Sequence, residues 1–344
     1  MSSAKEDIRK IRDAVQPSPW LSTWQITSTV LLFSAAIYGL HKSQNIWVIT
    51  LVLLPLIALF GVRIFVLQHD CGHLSLYKRR SSNDRAGLFL SWITTVPYEL
   101  WRSEHRWHHL HQGNLSIRGA DKMNSPPTVH EMEEEPHIVD IWNARVSIIG
   151  VFFAGAWSLL VQRKSVKEFF LFREAADQNV KDAARMKRSL WMTHSGAVLV
   201  QLILFSILGW QKYFLIMIPA YVLAGGLGSL LFWIQHNFED SYFAWEGDWD
   251  FYKVGTDGSS YLKLPFPLSY FTANIGLHHV HHVNMQIPNY KLDYARKHVP
   301  ELARLQPLSV SDLRKSFTHL FWDEEKGKKV KLNSEELSSK SADS

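Results

Sequence analysis

Residues 46–73 read IWVITLVLLPLIALFGVRIFVLQHDCGH. Between 46 and 67 only Arg63 is charged, and the run passes directly into His69-Asp70-Cys71-Gly72-His73. An apolar segment of this length meets the ~20 residues that an α-helix needs to cross a hydrocarbon core. Arg63 lies near the end of the span, where a long side chain is expected to snorkel toward water. The stretch therefore predicts a membrane-crossing helix. Its last turns leave the bilayer and carry two histidines, at i and i+4, into the aqueous edge.

Residues 24–40 are uncharged and mostly apolar, and His41 to Asn45 join them to this span. A second pair of runs follows at 195–210 and 213–235, joined at Trp210-Gln211-Lys212. None of the four has the polar stripe of a soluble amphipathic helix. Trp20, Trp24, Trp47, Trp210 and Trp233 sit near span ends, where an aromatic belt is expected. Two shorter runs, 87–101 and 146–162, are read as re-entrant or interfacial. A full crossing by 146–162 alone would export the basic stretch 163–188, which holds Arg163, Lys164, Lys167, Arg173, Lys181, Arg185, Lys187 and Arg188. The positive-inside bias opposes that. A crossing by 87–101 would separate the first two histidine clusters.

The expected fold is all-α and integral to the membrane. Two helical hairpins, four spans in all, sit under a helical cap, with both termini on the cytoplasmic side. Residues 1–23 form a basic N-terminal segment, 24–322 the membrane domain, and 323–344 a tail rich in Lys, Glu and Ser that is expected to be disordered.

Composition is consistent with this reading. Apolar residues make up 47% and charged residues 20%, and the apolar ones are gathered in blocks. The net charge of +5 suits anionic headgroups or an acidic protein partner, and no nucleic-acid-binding motif accompanies the basic clusters. Cys71 is the single cysteine, which excludes an intramolecular disulfide and a Cys-rich zinc or iron–sulfur site. No cleavable signal peptide is expected. The thiol inside a histidine cluster points to a reducing compartment.

Two more histidine clusters complete the pattern: His105-Arg106-Trp107-His108-His109 and His278-His279-Val280-His281-His282. His105 pairs with His108 and His109, and His278 with His281 and His282, at i+3 and i+4. On a helix the i+3 and i+4 positions differ in direction by ~100°, so one cluster can serve two metals. Eight imidazoles exceed any single zinc site. A dinuclear centre fits better, and nitrogen-rich ligation with a dioxygen reaction makes iron the leading choice. Paired Glu-x-x-His motifs of the carboxylate di-iron bundles are not found. His41, His130, His137, His194, His298 and His319 are scattered and carry no assigned role. His111 and His279 adjoin clusters but lie off the repeated spacing.

HDCGH, HRWHH and HHVHH, in that order around two hydrophobic hairpins, resemble the histidine boxes of the membrane fatty acid desaturases. The resemblance runs from about residue 24 to 300. It includes Gly113-Asn114-Leu115, the 235–240 stretch QHNFED, Gly258-Ser259-Ser260-Tyr261 and Asn274-Ile275-Gly276, which look like bacterial members. The first box has the form of the omega-6, or delta-12, acyl-lipid branch. The resemblance implies a di-iron centre with nine histidine ligands: His69, His73, His105, His108, His109, His278, His281, His282 and, at the end of the fourth span, His236. The acyl-CoA branch has an Asn one turn before that ninth histidine. Here the residue is Phe232, which argues against that branch. Asp70, Glu104 and Asn274 could orient imidazoles from behind, or could be surface and capping residues.

The activity this implies is insertion of a cis double bond into an acyl chain, with O2 as co-substrate and two Fe ions as cofactor. An apolar channel lined by the spans and by 87–101 and 146–162 would hold the chain. Electrons would come from a separate protein, ferredoxin or cytochrome b5, and the basic stretch 163–188 could dock an acidic donor. A fatty acyl hydroxylase or another di-iron oxidase could use the same scaffold. A metal transporter would place its ligands near mid-membrane, and a haem protein would need far fewer histidines.

Overall fold

The computed structural model describes residues 3–118, 125–160 and 182–335. Most of the basic stretch considered for donor docking, and 336–344 of the expected tail, lie outside the described residues. The described chain is helical except for one short hairpin near its end.

Helix α1 (Pro19–Lys42) begins on an N-cap, with Ser18 accepting from the Leu21 amide, and Pro19 takes the first turn, where no amide donor is needed. Helix α2 (Ile46–Gly72) starts on the Asn45 side chain, which accepts from the Trp47 and Val48 amides. Its first part, Ile49–Leu53, is a π-helical turn just before Pro55. The later span repeats the device: a π-helical turn at Tyr213–Met217, then Pro219, then a 19-residue helix ending at His236. Proline cannot donate to the carbonyl four residues back, so a widened turn beside it costs little. Both helices then run unbroken to a histidine.

Among the described residues two helical stretches are long and apolar enough to cross a membrane, Ile46–Gly72 and Arg185–His236. A third is counted if Ile138–Arg145 and Ile148–Trp157, which meet at a 66° bend, form one span. The Arg185–His236 stretch is itself turned at Gly209, whose φ of 73° is open to glycine without steric cost. The run 87–101 breaks at Thr95 (φ 64°) into α3 (Arg80–Thr94) and α4 (Tyr98–His111). Helix α5 (Ile148–Leu160), α6 (Asp182–Lys212) and α7 (Ile218–His236) follow, and α8 (His278–Val283) carries the third cluster.

The core between these helices is apolar: Phe33, Ile37 and Leu40 of α1, Ile57, Ile64 and Leu67 of α2, and Met217 and Ala220 beside and within α7. Large side chains on the outer faces, such as Trp20, Leu31, Trp47, Leu51, Trp157, Leu202 and Trp210, are exposed. A lipid-facing surface has this character.

Three expectations are corrected. Arg63 does not reach water. It is buried, donates to the Thr29 hydroxyl and the Tyr270 carbonyl, and lies 3.9 Å from the centre of the Tyr270 ring. These partners replace hydration and tie α2 to the segment before the third cluster. Trp233 is not an interfacial belt residue: it is buried, and its indole N–H donates to the Ser316 carbonyl at 2.8 Å. The expected tail does not begin in disorder. Strands β1 (Phe321–Asp323) and β2 (Lys328–Val330) pair as an antiparallel hairpin whose Phe321 and Trp322 are buried. Their aromatic and apolar area outweighs the charge of the intervening turn.

Candidate metal centre

The three boxes come from helices far apart in sequence, and all face one place. His69 lies in the last turn of α2 and His73 caps it, His105, His108 and His109 lie on α4, His236 is the last residue of α7, and α8 supplies His278, His281 and His282. All nine are buried. They divide into two groups: His69, His73, His105, His109 and His281 in one, and His108, His236, His278 and His282 in the other. Within each group the nitrogens offered by the rings lie within 4.8 Å of one another.

Helix geometry explains the division. Positions i and i+4 diverge by only ~40°, so His69 with His73, His105 with His109, and His278 with His282 each serve one group. His108 and His281 point ~100° away from the last histidine of their own boxes and join the other group. The groups abut, with the His109 and His282 rings 4.1 Å apart between centres and His105 stacked 5.4 Å from His108.

The closest nitrogens are His278 Nε2 to His236 Nε2 at 2.9 Å, His108 Nε2 to His236 Nε2 at 3.1 Å, His105 Nε2 to His109 Nε2 at 3.1 Å, and His281 Nε2 to His109 Nε2 at 3.1 Å. Metal–nitrogen bonds of about 2.1 Å at right angles put neighbouring ligand nitrogens about 3.0 Å apart. Burial pushes the pKa of His73, His105, His109, His278, His281 and His282 well below the usual imidazole range, and repulsion by neighbouring histidines adds to it. Neutral rings keep their lone pairs free. Lone pairs this close repel unless a cation lies among them, and His73 Nε2 and His282 Nε2 have no hydrogen-bond partner among the described residues. The donor set therefore suits two metal ions that favour imidazole.

What holds the rings was only partly legible. Asp70 Oδ1 lies 3.0 Å from His69 Nδ1, and its other oxygen accepts from the Asn289 amide at 2.8 Å. Asn289 is in turn clamped by Gln25, at 3.0 and 3.1 Å. Asn274 acts on the backbone instead: its φ of 58° turns the chain into α8, and its amide reaches the Asn289 carbonyl at 3.4 Å. Glu104 is half-buried on α4 beside His105. His236 Nδ1 sits 3.3 Å from the Gly258 carbonyl. Trp101 stacks on His105 at 4.6 Å. Two glutamines tie helix ends to neighbouring segments: Gln68 donates to the Val96 carbonyl at 3.1 Å, and Gln235 to the Ile275 carbonyl at 2.9 Å. Each directly precedes a box or ninth histidine, the only hint in the sequence. Sequence reading missed Gln25, Trp101 and Asn289.

His111 and His279 stay out of both groups. His111 Nδ1 is 3.0 Å from the Trp107 carbonyl, and His279 is turned toward the Ser260 carbonyl at 3.4 Å. Phe232 faces the four-histidine group, its ring 5.1 Å from His108 and 5.4 Å from His236, and offers no ligand atom.

A cavity of about 290 Å³ lies among the helices, with His69, His105 and His278 in its lining. Its walls are apolar side chains such as Phe33, Ile57, Val62 and Met217, and small residues of α7 including Ala224, Gly225 and Gly228. Ile93, Val96, Trp101 and Gly155 contribute from the two short runs, as the channel reading expected.

An apolar cavity thus reaches paired histidine groups near the ends of helices long and apolar enough to cross a membrane. The family model for fatty acid desaturases matches residues 45–313, and the chain belongs to that family. It is 29% identical over 323 residues to a fatty acid desaturase of Bacillus subtilis, covering 93% of this chain and 88% of the relative. It is 25% identical over 240 residues to an sn-1 oleoyl-lipid 12-desaturase of Synechocystis, covering 69% of this chain and 64% of the relative. A 73-residue stretch, 21% of this chain and 20% of the relative, is 37% identical to an sn-1 acyl-lipid omega-3 desaturase (ferredoxin) of Nostoc.

Proposed function

We propose that this chain inserts a cis double bond, of the delta-12 or omega-6 type, into an acyl chain of a membrane glycerolipid. Two irons are held by His69, His73, His105, His109 and His281 and by His108, His236, His278 and His282, with O2 as co-substrate. The observation that carries this is the meeting of two abutting imidazole groups with the wall of an apolar cavity. A pair of irons bound there supplies O2 activation and hydrogen removal from unactivated methylenes.

The protein's own part is placement. The apolar walls take up the acyl chain and exclude water, and Trp101 and Phe232 border the imidazoles beside it. The chain's membrane topology is four spans: α1 and α2 form one hairpin, and the arms on either side of Gly209 form the other. Both termini and all nine histidines lie on the cytoplasmic side. Electrons arrive from a separate donor of the ferredoxin or cytochrome b5 kind. The acyl-lipid and 12-position readings draw on the names of the cyanobacterial relatives, at 23–25% identity.

The test is fatty acid profiling by mass spectrometry after expression in a host that lacks polyunsaturated lipids. A second cis double bond in monounsaturated glycerolipid chains is expected. A hydroxylated chain would assign the oxidase a different outcome, and unaltered lipids from iron-loaded, folded protein would defeat the proposal. Asn289→Leu should remove the clamp on Asp70 and weaken iron binding by roughly 10-fold, the lower range for losing such a support, as read by chelator competition.

A further inference from the structure

Among the described residues outside the histidine groups, Lys329 is the most completely enclosed cation. It sits on β2, beyond the 45–313 region matched by the family model, and is 1% exposed. Its amine donates to Asn237 Oδ1 and lies 4.9 Å from the centre of the Phe243 ring and 5.9 Å from that of Trp233. Burying an ammonium or amine is costly unless it is bonded, so the placement needs a reason.

The reason lies in what Asn237 joins. It follows His236 directly, and its Nδ2 donates to the Trp233 carbonyl at 3.1 Å, closing the last turn of α7. The same C-terminal segment grips this helix end at other points. Ser316 accepts from the Trp233 indole, the Lys329 amide donates to the Glu239 carbonyl at 2.8 Å, and Lys315 pairs with the Glu239 carboxylate. His236 is in turn the hub of its group, with Nε2 2.9 Å from His278 and 3.1 Å from His108. Movement of the α7 terminus by an ångström would open both separations.

We propose that Lys329 is a positioning residue: through Asn237 it locks the end of α7 so that His236 completes the four-histidine group, making the C-terminal hairpin a clasp on one of the two metal sites. This rests on the proposed metal role of the histidines. It predicts an asymmetric effect, because the five-histidine group takes no ligand from α7. A merely structural role would move both sites alike.

The experiment compares wild type, Lys329→Met and Lys329→Gln as monodisperse, detergent-purified full chains loaded with ferrous iron. Iron per chain and the X-ray absorption spectrum are measured without turnover. Wild type is expected to hold two irons, Lys329→Met about half as much, and Lys329→Gln, which keeps an N–H donor for Asn237, nearly the full amount. Two irons in Lys329→Met with an unchanged spectrum would overturn the clasp while leaving the metal reading intact. Failure of wild type to bind two irons would instead defeat the metal reading. If Lys329→Met does not fold, Lys329→Gln decides: full iron with a wild-type spectrum supports the donor role, and loss of iron from it overturns that role.

Discussion

His105→Ala should abolish product: double-bond formation in the expression host falls at least 100-fold, to the limit of detection, while the protein still accumulates. His105 is buried among His69, His73, His109 and His281, with Trp101 stacked on its outer face. Removing the ring takes one nitrogen from a group of five and leaves an apolar gap beside Trp101. The cost to folding is modest, because a buried imidazole needs partners that alanine does not. The cost to function is large, because no neighbouring side chain among the described residues can replace the donor. His111→Ala is the control, six positions on along α4. Its ring lies tilted 3.8 Å from that of Trp107 and its nitrogen meets a backbone carbonyl, so its loss should leave product formation near wild type. Retained product in His105→Ala would remove the assignment of the five-histidine group.

The second large effect is expected at Gly228. It lies on α7 eight residues before His236, about 12 Å along the helix axis. It lines the cavity, and a Cβ built there meets no atom within 4 Å. Gly228→Leu therefore puts four carbons into space that the acyl chain would occupy, and it also favours the helix by up to about 1 kcal/mol. Turnover of the native acyl chain should drop more than tenfold, or the double bond should move, with thermal stability equal to or above wild type. Gly226 gives the contrast: there a Cβ would fall 2.2 Å from the Phe152 ring, so Gly226→Leu should destabilise the packing of α5 on α7. Unchanged product position and rate in Gly228→Leu would mean that the substrate does not use this cavity.

The boxes and the apolar runs were legible in the sequence because both follow from local rules. Histidines at i and i+4 share a helix face wherever the helix lies, and 46–72 has the length and apolarity to cross a membrane under any packing. His236 came from the family resemblance, since one histidine at a helix end has no periodicity to betray it. Residues 323–330 were read as the start of a tail because they are rich in Lys and Glu, while the aromatic residues that dock, Phe321 and Trp322, lie just before that boundary. Arg63 and Trp233 were misread for a related reason: snorkelling and belt positions are averages over many helices, and a specific partner outweighs them. Those partners, Tyr270 and Ser316, lie 207 and 83 residues away.

From its amino-acid order alone this chain is committed to apolar helices and to eight imidazoles at helical spacing, because helix period and hydrophobic length are properties of short segments. Which imidazoles form which group, that Asn289 and Lys329 stand behind them, and that a cavity has His69, His105 and His278 in its lining were decided by tertiary structure. These depend on the angles at which distant helices meet, and such angles come from packing across the whole molecule.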